Sequence, residues 1–466
     1  MPNREGLLMA LNSPLSPLDG RYAPLVAELA ETFSEATLNK TRLEVEVEWI
    51  IALTDNGVAG SSALSSDQKA ALRKRITDFS ADDVAAMAEI EATTQHDVKA
   101  VEYFLRRILD ENGLTHIAEL AHFAATSEDI NNLSYALMIK RSVQGVWLPV
   151  AEKLQSTLVE RAKQWRDVPM LSRTHGQPAT PTTFGKEFAV FAHRVGIALD
   201  QVRQVDFPGK FNGATGTYSA HVAASPSTDW PAVSKAFVES LGLNWNPLTT
   251  QIESHDGQVR LFQRLNHTGR ILHNLCTDVW TYISLGYLRQ IPQEGATGSS
   301  TMPHKVNPIR FENAEANLEI AGGLFDVLQA TLVTSRLQRD LTDSTTQRNI
   351  GVAIGHQMVA MKNIQRGLGE VAVDEQLMAD DLADNVEVLA EAIQTVIRAE
   401  IVAGNSSITD PYDVVKKLTR GKKVTAEVLA QFVDGLDISD DAKARLLALT
   451  PATYTGVASA LVAYLD

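Results

Sequence analysis

Residues 298–308, GSSTMPHKVNP, hold the densest group of side chains in this chain that could do chemistry. The hydroxyls of Ser299 and Ser300 precede Lys305 and Asn307, and glycine and proline interrupt regular structure there. Because a serine hydroxyl is a weak base in water, its deprotonation needs the charge of Lys305 and the partial charge of loop amides or a helix N-terminus. A serine pair alone would indicate an ordinary connector. The whole string predicts a site loop with a serine as base or nucleophile, and the residue types do not distinguish Ser299 from Ser300.

Residues 172–181, SRTHGQPATP, place His175 in a second polar segment. Pro178 and Pro181 interrupt helical geometry, so we expect a loop between helices here. Imidazole titrates near neutral pH and suits positioned proton transfer. A lone histidine is more often a hydrogen-bonded structural residue, but the serine and lysine segment elsewhere in the chain favours proton transfer for His175.

Two further segments combine polar groups that could bind a small anion. Residues 93–98, TTQHDV, set His96 beside Asp97, and residues 122–132, HFAATSEDINN, contain Thr126 and Ser127. A hydroxyl residue followed by two acidic residues is also typical of the first turn of a helix. Capping and binding are compatible interpretations of the second segment.

The segment 298–308 matches all eight fixed positions of the signature G-S-S-x-M-P-x-K-x-N-P. It therefore resembles the mobile active-site loop of the fumarase/aspartase superfamily. Within that superfamily, segments along nearly the whole chain resemble the longer bacterial type of the adenylosuccinate lyase family. The segments that carry this second resemblance are 19–22 (DGRY), 93–98, 122–132, 172–181, 249–253 (TTQIE), 335–348 (SRLQRDLTDSTTQR) and 419–423 (TRGKK).

The resemblance implies a carbon–nitrogen lyase of purine nucleotide biosynthesis. Such an enzyme eliminates fumarate from adenylosuccinate, giving AMP, and from the succinylated aminoimidazole carboxamide ribotide SAICAR, giving AICAR on the route to IMP. It implies that Ser299, which matches the superfamily's base, removes a carbon-bound proton, and that His175 protonates the departing nitrogen. His96 would orient the substrate or tune His175, and Lys305 completes the catalytic set. No metal and no organic cofactor is implied.

The same resemblance implies a substrate site rich in placed arginines. An acidic chain, with a formal net charge of -15, needs such guanidinium groups to hold a phosphate and two carboxylates. Arg21, Arg339 and Arg348 with Ser344 would hold the phosphate, and Thr126 with Ser127 a carboxylate of the succinyl arm. The complete set of implied binding residues is Arg21, Tyr22, Gln95, Asp97, Thr126, Ser127, Gln251, Asn307, Asn313, Arg339, Ser344 and Arg348.

Composition excludes several other classes of protein. The net negative charge argues against a nucleic-acid-binding protein, and no window approaches eighteen uninterrupted apolar residues, so no membrane partner is expected. Metal-ligand histidine spacing, Gly-x-Gly-x-x-Gly and the phosphate-loop string are all absent. The single cysteine, Cys276, has apolar neighbours and excludes an intramolecular disulfide. We expect an untargeted cytoplasmic protein with an unreactive core thiol.

Proline spacing predicts an all-α chain. Long proline-free intervals carry apolar residues at helical spacing, and residues 261–288 would form one helix of close to thirty residues. We expect three parts: an N-terminal helical domain over 1–115, a central long-helix bundle over 116–370 and a small helical domain over 371–466. Broad apolar faces favour association of the bundle with copies of itself. The resemblance implies a homotetramer whose active sites are each built from three subunits.

Three alternatives keep some of these features. An argininosuccinate lyase-like enzyme would share the loop but need no phosphate site. A non-catalytic helical scaffold descended from such a lyase would keep the fold, although intact Ser299, Lys305, Asn307 and His175 speak against it. A serine hydrolase could use Ser299 and His175, but the chain lacks the Gly-x-Ser-x-Gly nucleophile elbow.

Overall fold

The computed structural model describes residues 14–292, 302, 305–419 and 424–466. These residues pack as two compact units, each assembled from three stretches of chain. The first unit comprises Met1–Glu152, Ala198–Arg270 and Glu315–Lys362. The second unit comprises Lys153–Ile197, Ile271–Ala314 and Asn363–Asp466. The three-part division at residues 115 and 370 remains a prediction.

Helices account for most of the described chain, so the prediction of a mostly helical protein is confirmed. Those of the first half are α1 (Ala23–Thr32), α2 (Glu35–Asp55), α3 (Ser66–Thr77), α4 (Ala81–Thr94), α5 (Asp97–Glu111), α6 (Ser127–Ser142), α7 (Leu148–Gln164), α8 (Phe184–Arg203), α9 (Ser219–Ala224) and α10 (Trp230–Ser240). Those of the second half are α11 (Asp256–Ser284), α12 (Ile309–Leu332), α13 (Thr342–Gln347), α14 (Ile350–Gly369), α15 (Glu375–Ala383), α16 (Ala390–Val402), α17 (Pro411–Thr419), α18 (Ala426–Asp434), α19 (Asp440–Leu447) and α20 (Ala458–Leu461).

Shorter helical turns join some of these elements. Val58–Gly60, Thr115–Leu120, Val386–Leu389 and Val462–Leu465 are 3-10 turns, and Val143–Trp147 is a π turn between α6 and α7. The chain therefore passes from α6 to α7 without leaving helical geometry.

Helix boundaries follow from local side-chain chemistry. Ser34 accepts a hydrogen bond from the backbone N–H of Thr37 and so begins α2. Ser80 and Asp83 exchange side-chain and backbone bonds in a capping box at the start of α4. Each cap satisfies amide groups that the first turn leaves without an intrahelical partner.

The long helix predicted over 261–288 is present as α11, which is 29 residues long, but it runs from Asp256 to Ser284, and Leu288 begins strand β5 instead. The apolar spacing from Val150 to Trp165 and from Phe184 to Val202 likewise corresponds to α7 and α8. All three predictions rest on a period of 3.6 residues sustained over several turns, which is the strongest local signal that a sequence carries.

Six short strands form three two-stranded sheets in the described residues. The strands are β1 (Pro169–Thr174), β2 (Gln177–Thr183), β3 (Pro208–Gly209), β4 (Asn244–Trp245), β5 (Leu288–Gln290) and β6 (Val371–Val373). The pairs β1–β2 and β5–β6 are antiparallel, and β3–β4 is parallel. The expectation of a plain loop around His175 is therefore wrong, because residues 169–183 form a hairpin. A two-stranded ribbon leaves one edge of each strand unpaired, so it tolerates Pro178 and Pro181.

The core of the first unit contains a group of aromatic rings. Trp49 of α2 lies with its ring centroid 4.0 Å from Phe211 and 5.0 Å from Phe237. His221 of α9 is fully buried in the same group, 4.8 Å from the ring of Trp230. Aromatic burial of this kind contributes much of the apolar surface that stabilises a core.

Among the described residues of the second unit, the larger apolar groups are one of aromatic rings and one in the tail. Trp165, Phe184, Phe188 and Tyr282 pack together, with centroid distances of 4.9 to 5.1 Å. Gly185 lets α7 and α8 approach there, since a Cβ at this position would lie 2.3 Å from the carbonyl oxygen of Ala162. A separate cluster forms the core of the tail, and its members are Leu389, Ala392, Ile393, Ile397, Val415, Val424, Leu429, Val433, Leu436, Ile438, Ala442 and Leu446.

Cys276 is fully buried in α11, as predicted for a core thiol. Within the ranges that the structure covers, no helix combines the length and the apolar character needed to cross a lipid bilayer.

Burial lowers the pKa of His221 to about 4. The Lys210 ammonium lowers this pKa further, whereas the nearby Asp129 carboxylate raises it. The unfolded chain has no such environment and keeps the ordinary value of 6.5. Between these two values the unfolded state binds more protons, so the free energy of unfolding falls as pH decreases from about 6.5 to about 4. We expect His221→Gln to show a smaller loss of melting temperature between pH 7 and pH 5 than the parent, measured by calorimetry. The control His116→Gln changes an exposed histidine and should lose as much melting temperature between pH 7 and pH 5 as the parent does. An equal loss in the parent and both variants would contradict the lowered pKa of His221.

Candidate active site

Asp97, the first residue of α5, lies between two guanidinium groups in the first unit. Its Oδ2 accepts a hydrogen bond from Nη2 of Arg42 at 2.8 Å and forms an ion pair with Nη2 of Arg348 at 3.2 Å. Burial alone would raise the pKa of Asp97, but the charge of Arg42, the Val98 amide and Arg348 together bring that pKa below its ordinary value. Asp97 is therefore a carboxylate held ionised by its neighbours.

Arg348 and Ser344, two of the residues that the family resemblance implies for a phosphate site, are in direct contact. Nη1 of Arg348 donates to Oγ of Ser344 at 3.2 Å, and Nε pairs with Oε1 of Glu35 at 3.2 Å. The side chain of Arg348 is 38% exposed, so its guanidinium can still reach a ligand. Both residues belong to or directly follow the short helix α13.

Arg339 provides a further guanidinium group in the same unit. Its Nη2 pairs with Oε1 of Glu128 at 2.9 Å, and its Nη1 donates to Oε1 of Gln251 at 3.3 Å. Burial raises the pKa of Glu128, while Arg339 and the Asn131 amide oppose that shift. Gln251 in turn donates from Nε2 to the carbonyl oxygen of Ala214 at 2.9 Å. The structure thus brings the predicted residues Arg339 and Gln251 into direct contact.

His96 begins α5 and lies directly before Asp97. Its Nδ1 accepts a hydrogen bond from the backbone N–H of Lys99 at 3.1 Å, so the neutral ring carries its proton on Nε2. Its side chain is about half exposed, and Nδ1 lies 3.9 Å from Oδ1 of Asp97. The capping bond fixes the ring direction and leaves Nε2 for another partner. Gln95 is exposed beside it and donates to the carbonyl of Ala92 at 2.8 Å.

Thr126 and Ser127 lie at the amino end of α6, where backbone amides favour an anion. Thr126 is the N-cap and Ser127 the first helical residue, so the cap lies one residue earlier than Ser127. Oδ2 of Asp129 accepts from the amides of Thr126 at 2.9 Å and Gly213 at 3.0 Å. Nζ of Lys210 lies 2.8 Å from Oδ1 of Asp129, and both side chains are fully buried. This buried ion pair holds the start of α6 against the segment 210–213.

Several residues in the predicted site segments have left-handed backbone geometry. A non-glycine residue with positive φ costs free energy, and such residues concentrate at functional sites. They include two of the predicted site residues and three other members of the predicted segments. The positions and angles are Gln95 (φ 53), His122 (φ 55), Ala124 (φ 54), His175 (φ 54) and Leu337 (φ 53).

Arg21 and Tyr22 directly precede α1. Arg21 is exposed and has no hydrogen bond or ion pair to another residue in the covered ranges. Tyr22 is half-buried, and its amide donates to the carbonyl of Pro17 at 2.8 Å. The exposed guanidinium of Arg21 is thus available to an anion.

His175 lies in the second unit, at the tip of the β1–β2 hairpin. His175 and Gly176 both have positive φ, 54° and 74°, which is the geometry of a two-residue hairpin turn that matches strand twist. Both strands contact helices below the tip. Arg173 of β1 forms an ion pair with Asp381 of α15 at 2.6 Å, and Thr180 of β2 donates a hydrogen bond to Glu391 of α16. The imidazole is therefore exposed on a short, anchored support.

The remaining predicted residues of the second unit lie before or in α12. Lys305 is exposed and Asn307 half-buried, while Oδ1 of Asn313 accepts from Nδ2 of Asn363 at 3.0 Å. Ser299 and Ser300 lie outside the described residues. Their proposed chemistry therefore rests on the sequence.

The sequence interpretation missed Arg42, Glu35, Asn131 and Glu128 as partners of these site residues. Arg42 left a detectable signal, since it lies at a core position of the buried stripe Leu38, Arg42, Val45 and Trp49 in α2. A charged residue within an apolar stripe indicates a buried ion pair. Glu35 left no such signal, because an acidic residue in the first turn of a helix is common.

Comparison with known families and structures gives a consistent result over almost the whole chain. Residues 20–322 match the family model described as Lyase, and residues 335–455 match the model described as Adenylosuccinate lyase C-terminal. The chain is 47% identical over 450 residues to adenylosuccinate lyase of Escherichia coli K12, covering 96% of this chain and 97% of that protein. It is 45% identical over 457 residues to adenylosuccinate lyase of Legionella pneumophila Corby, covering 98% and 99%.

Two solved structures share the fold at lower sequence identity. A fumarate lyase from Mesorhizobium sp. BNC1 superposes with a TM-score of 0.73 at 19% identity, covering 94% of this chain and 97% of that one. A 3-carboxy-cis,cis-muconate lactonizing enzyme from Pseudomonas putida gives a TM-score of 0.72 at 21% identity, covering 94% and 96%. The predicted all-α lyase fold is thereby confirmed.

The Lys210–Asp129 pair yields a stability prediction. Asp129→Asn removes the carboxylate from a fully buried ammonium, and breaking such a pair typically costs about 3 to 5 kcal/mol of the free energy of unfolding. We expect a loss of that size in urea denaturation. The exposed matched change Glu89→Gln should alter the free energy by less than about 0.5 kcal/mol. Equal stability of the two variants would contradict a structural role for the pair.

Proposed function

The chain belongs to the adenylosuccinate lyase family, and from this membership we propose that it eliminates fumarate from adenylosuccinate, giving AMP, and from SAICAR, giving AICAR. The observation that carries the proposal is the 47% identity to the Escherichia coli adenylosuccinate lyase across nearly the full length of both chains. Family membership gives the reaction class, a lyase. The identity of the two nucleotide substrates is what we propose.

The guanidinium groups of the first unit support a nucleotide substrate. Arg348 with Ser344 presents a partly exposed cation next to a hydroxyl, which suits a phosphate. Arg21 is exposed close to the start of α1 and can add a second cation. The amide groups at the start of α6, with Thr126 and Ser127, suit a carboxylate of the succinyl arm. Fumarate or aspartate alone would not require a phosphate site.

The elimination needs one base and one acid. We assign Ser299 as the base: its alkoxide takes the proton from the carbon next to a succinyl carboxylate, and Lys305 stabilises the alkoxide by its charge. The electron pair left on carbon forms the double bond of fumarate as the carbon–nitrogen bond breaks. His175 protonates the departing nitrogen, so the atoms and charges balance without a metal or organic cofactor. His96 orients the substrate through Nε2, the nitrogen that its capping bond leaves unoccupied.

We further propose a homotetramer with active sites shared between subunits. Several large apolar side chains on long helices are exposed in the single chain, which favours their burial against further copies. They are Val190 and Ile197 of α8, Trp280 of α11, and Ile320 and Val327 of α12. The buried thiol Cys276 is compatible with a reducing cytoplasm, where the proposed pathway operates.

The direct test is the fall in ultraviolet absorbance when purified protein meets adenylosuccinate or SAICAR. We expect turnover of both nucleotides and none of argininosuccinate. Cleavage of argininosuccinate with no activity on either nucleotide would sink the proposal and select the other lyase.

Ser299→Ala and His175→Ala test the assigned roles. Each variant should bind adenylosuccinate and lose most of its turnover, by at least about 10²-fold, because positioned proton transfer typically contributes about 10²- to 10⁴-fold. The measurements are kcat and the dissociation constant for substrate. Normal kcat in either variant would remove that residue from the mechanism.

Mixing the two inactive variants tests the shared sites. Subunit exchange should restore partial activity, because some sites in a mixed tetramer would combine an intact Ser299 with an intact His175. Native mass spectrometry should confirm that mixed oligomers form. Mixed oligomers without any activity would count against sites built from several subunits.

A further inference from the structure

Arg42 of α2 is a buried cation that neither the sequence interpretation nor the proposed mechanism uses. Its side chain is only 2% exposed. Taking a guanidinium out of water is costly unless its donors are paired and its charge is balanced. Arg42 therefore needs a structural or functional reason for its position.

The donors of Arg42 point in three fixed directions. Nε donates to Oδ1 of Asn131 at 2.9 Å, Nη1 to Oδ1 of Asn39 at 3.1 Å, and Nη2 to Oδ2 of Asp97 at 2.8 Å. Asn39 lies on the same helix, whereas Asp97 and Asn131 belong to α5 and α6. The planar guanidinium thus joins three helices and contacts one residue from each of two predicted site segments, 93–98 and 122–132.

The Asp97 carboxylate is shared between Arg42 and Arg348. Arg348 faces two carboxylates, Asp97 at 3.2 Å and Glu35 at 3.2 Å. With Arg42 present, the group contains two cations and two anions and is neutral. Without Arg42, both carboxylates would act on Arg348 alone, and the group would carry a net charge of about -1 next to the position proposed for phosphate.

We propose that Arg42 is a positioning residue that neutralises Asp97 and so keeps Arg348 free to bind the phosphate of the substrate. The proposal rests on the function proposed above. Arg42 does not touch the substrate itself, because its side chain is buried. It acts through Asp97, whose direction it fixes and whose charge it offsets.

A second series of hydrogen bonds connects Arg42 to Arg339. Nδ2 of Asn131 donates to Oε1 of Glu128 at 2.8 Å, and that oxygen also accepts from Nη2 of Arg339 at 2.9 Å. One buried guanidinium is therefore connected, through Asp97 on one side and through Asn131 and Glu128 on the other, to two of the arginines assigned to phosphate. Arg42 is therefore one contact removed from Arg348 and two contacts removed from Arg339.

Arg42→Met tests the proposal, because methionine fills similar space without charge. We expect the dissociation constant for AMP, measured by calorimetry, and the KM for adenylosuccinate to rise about tenfold, the usual scale for a charge-assisted contact. The value of kcat should stay within about twofold, since the phosphate is remote from the reacting bond and contributes uniform binding. The affinity for adenosine, which lacks the phosphate, should not change. Arg42→Lys should recover part of the AMP affinity, since its ammonium can pair with Asp97 but not also reach both asparagines.

The double variant Arg42→Met/Glu35→Gln separates charge from structure. Removing the Glu35 carboxylate leaves one cation, Arg348, and one anion, Asp97, so the group is neutral again and AMP affinity should return to within about threefold of the parent value. This variant also stands in if the single variant does not fold, because it leaves no unpaired charge. Arg73→Met, which removes another paired arginine from the same unit, is the control and should leave AMP binding unchanged.

Three results would overturn the proposal: an unchanged affinity for AMP in Arg42→Met, an equal loss for AMP and adenosine, or a double variant as weak as the single one. Failure of the proposed function gives a different pattern. In that case the parent protein itself would neither bind AMP nor cleave adenylosuccinate.

Discussion

The first unit depends on the pairing of buried charge at the starts of two helices. Asp97 at the start of α5 is held between Arg42 and Arg348, and Asp129 in the first turn of α6 is paired with Lys210. A charge removed from water is tolerated only when an opposite charge and hydrogen bonds replace the lost hydration. The same contacts that make burial possible also fix the directions of the groups available to a substrate.

Local backbone geometry contributes a second constraint. His175 occupies a left-handed position that a two-residue hairpin turn requires, and Gly176 completes that turn without steric cost. Gln95 has a similar φ directly before His96, so the chain turns sharply into α5. Such conformations persist only where surrounding contacts compensate for their cost, as the tie between Arg173 and Asp381 does below the hairpin tip.

Prediction from the sequence succeeded where the signal is local and repeated. The long helix α11 has an apolar face over 29 residues, so its period alone identified it. The hairpin around His175 was missed, because Pro178 and Pro181 favour a loop in isolation and become compatible with a strand only when one edge stays unpaired. Ser344 and Arg348 were grouped only through the family resemblance, and their contact follows from a separation of one helical turn.

The sequence by itself indicated which residue types could do chemistry, the family to which the chain belongs, and several of the long helices. Only the tertiary structure decided which charged and polar side chains contact one another. Arg42 and Asn131 are 89 residues apart along the chain, and Glu128 and Arg339 are 211 apart. The strength of an ionic contact depends on distance in space and on burial, and neither quantity is encoded in the spacing of residues along one helix.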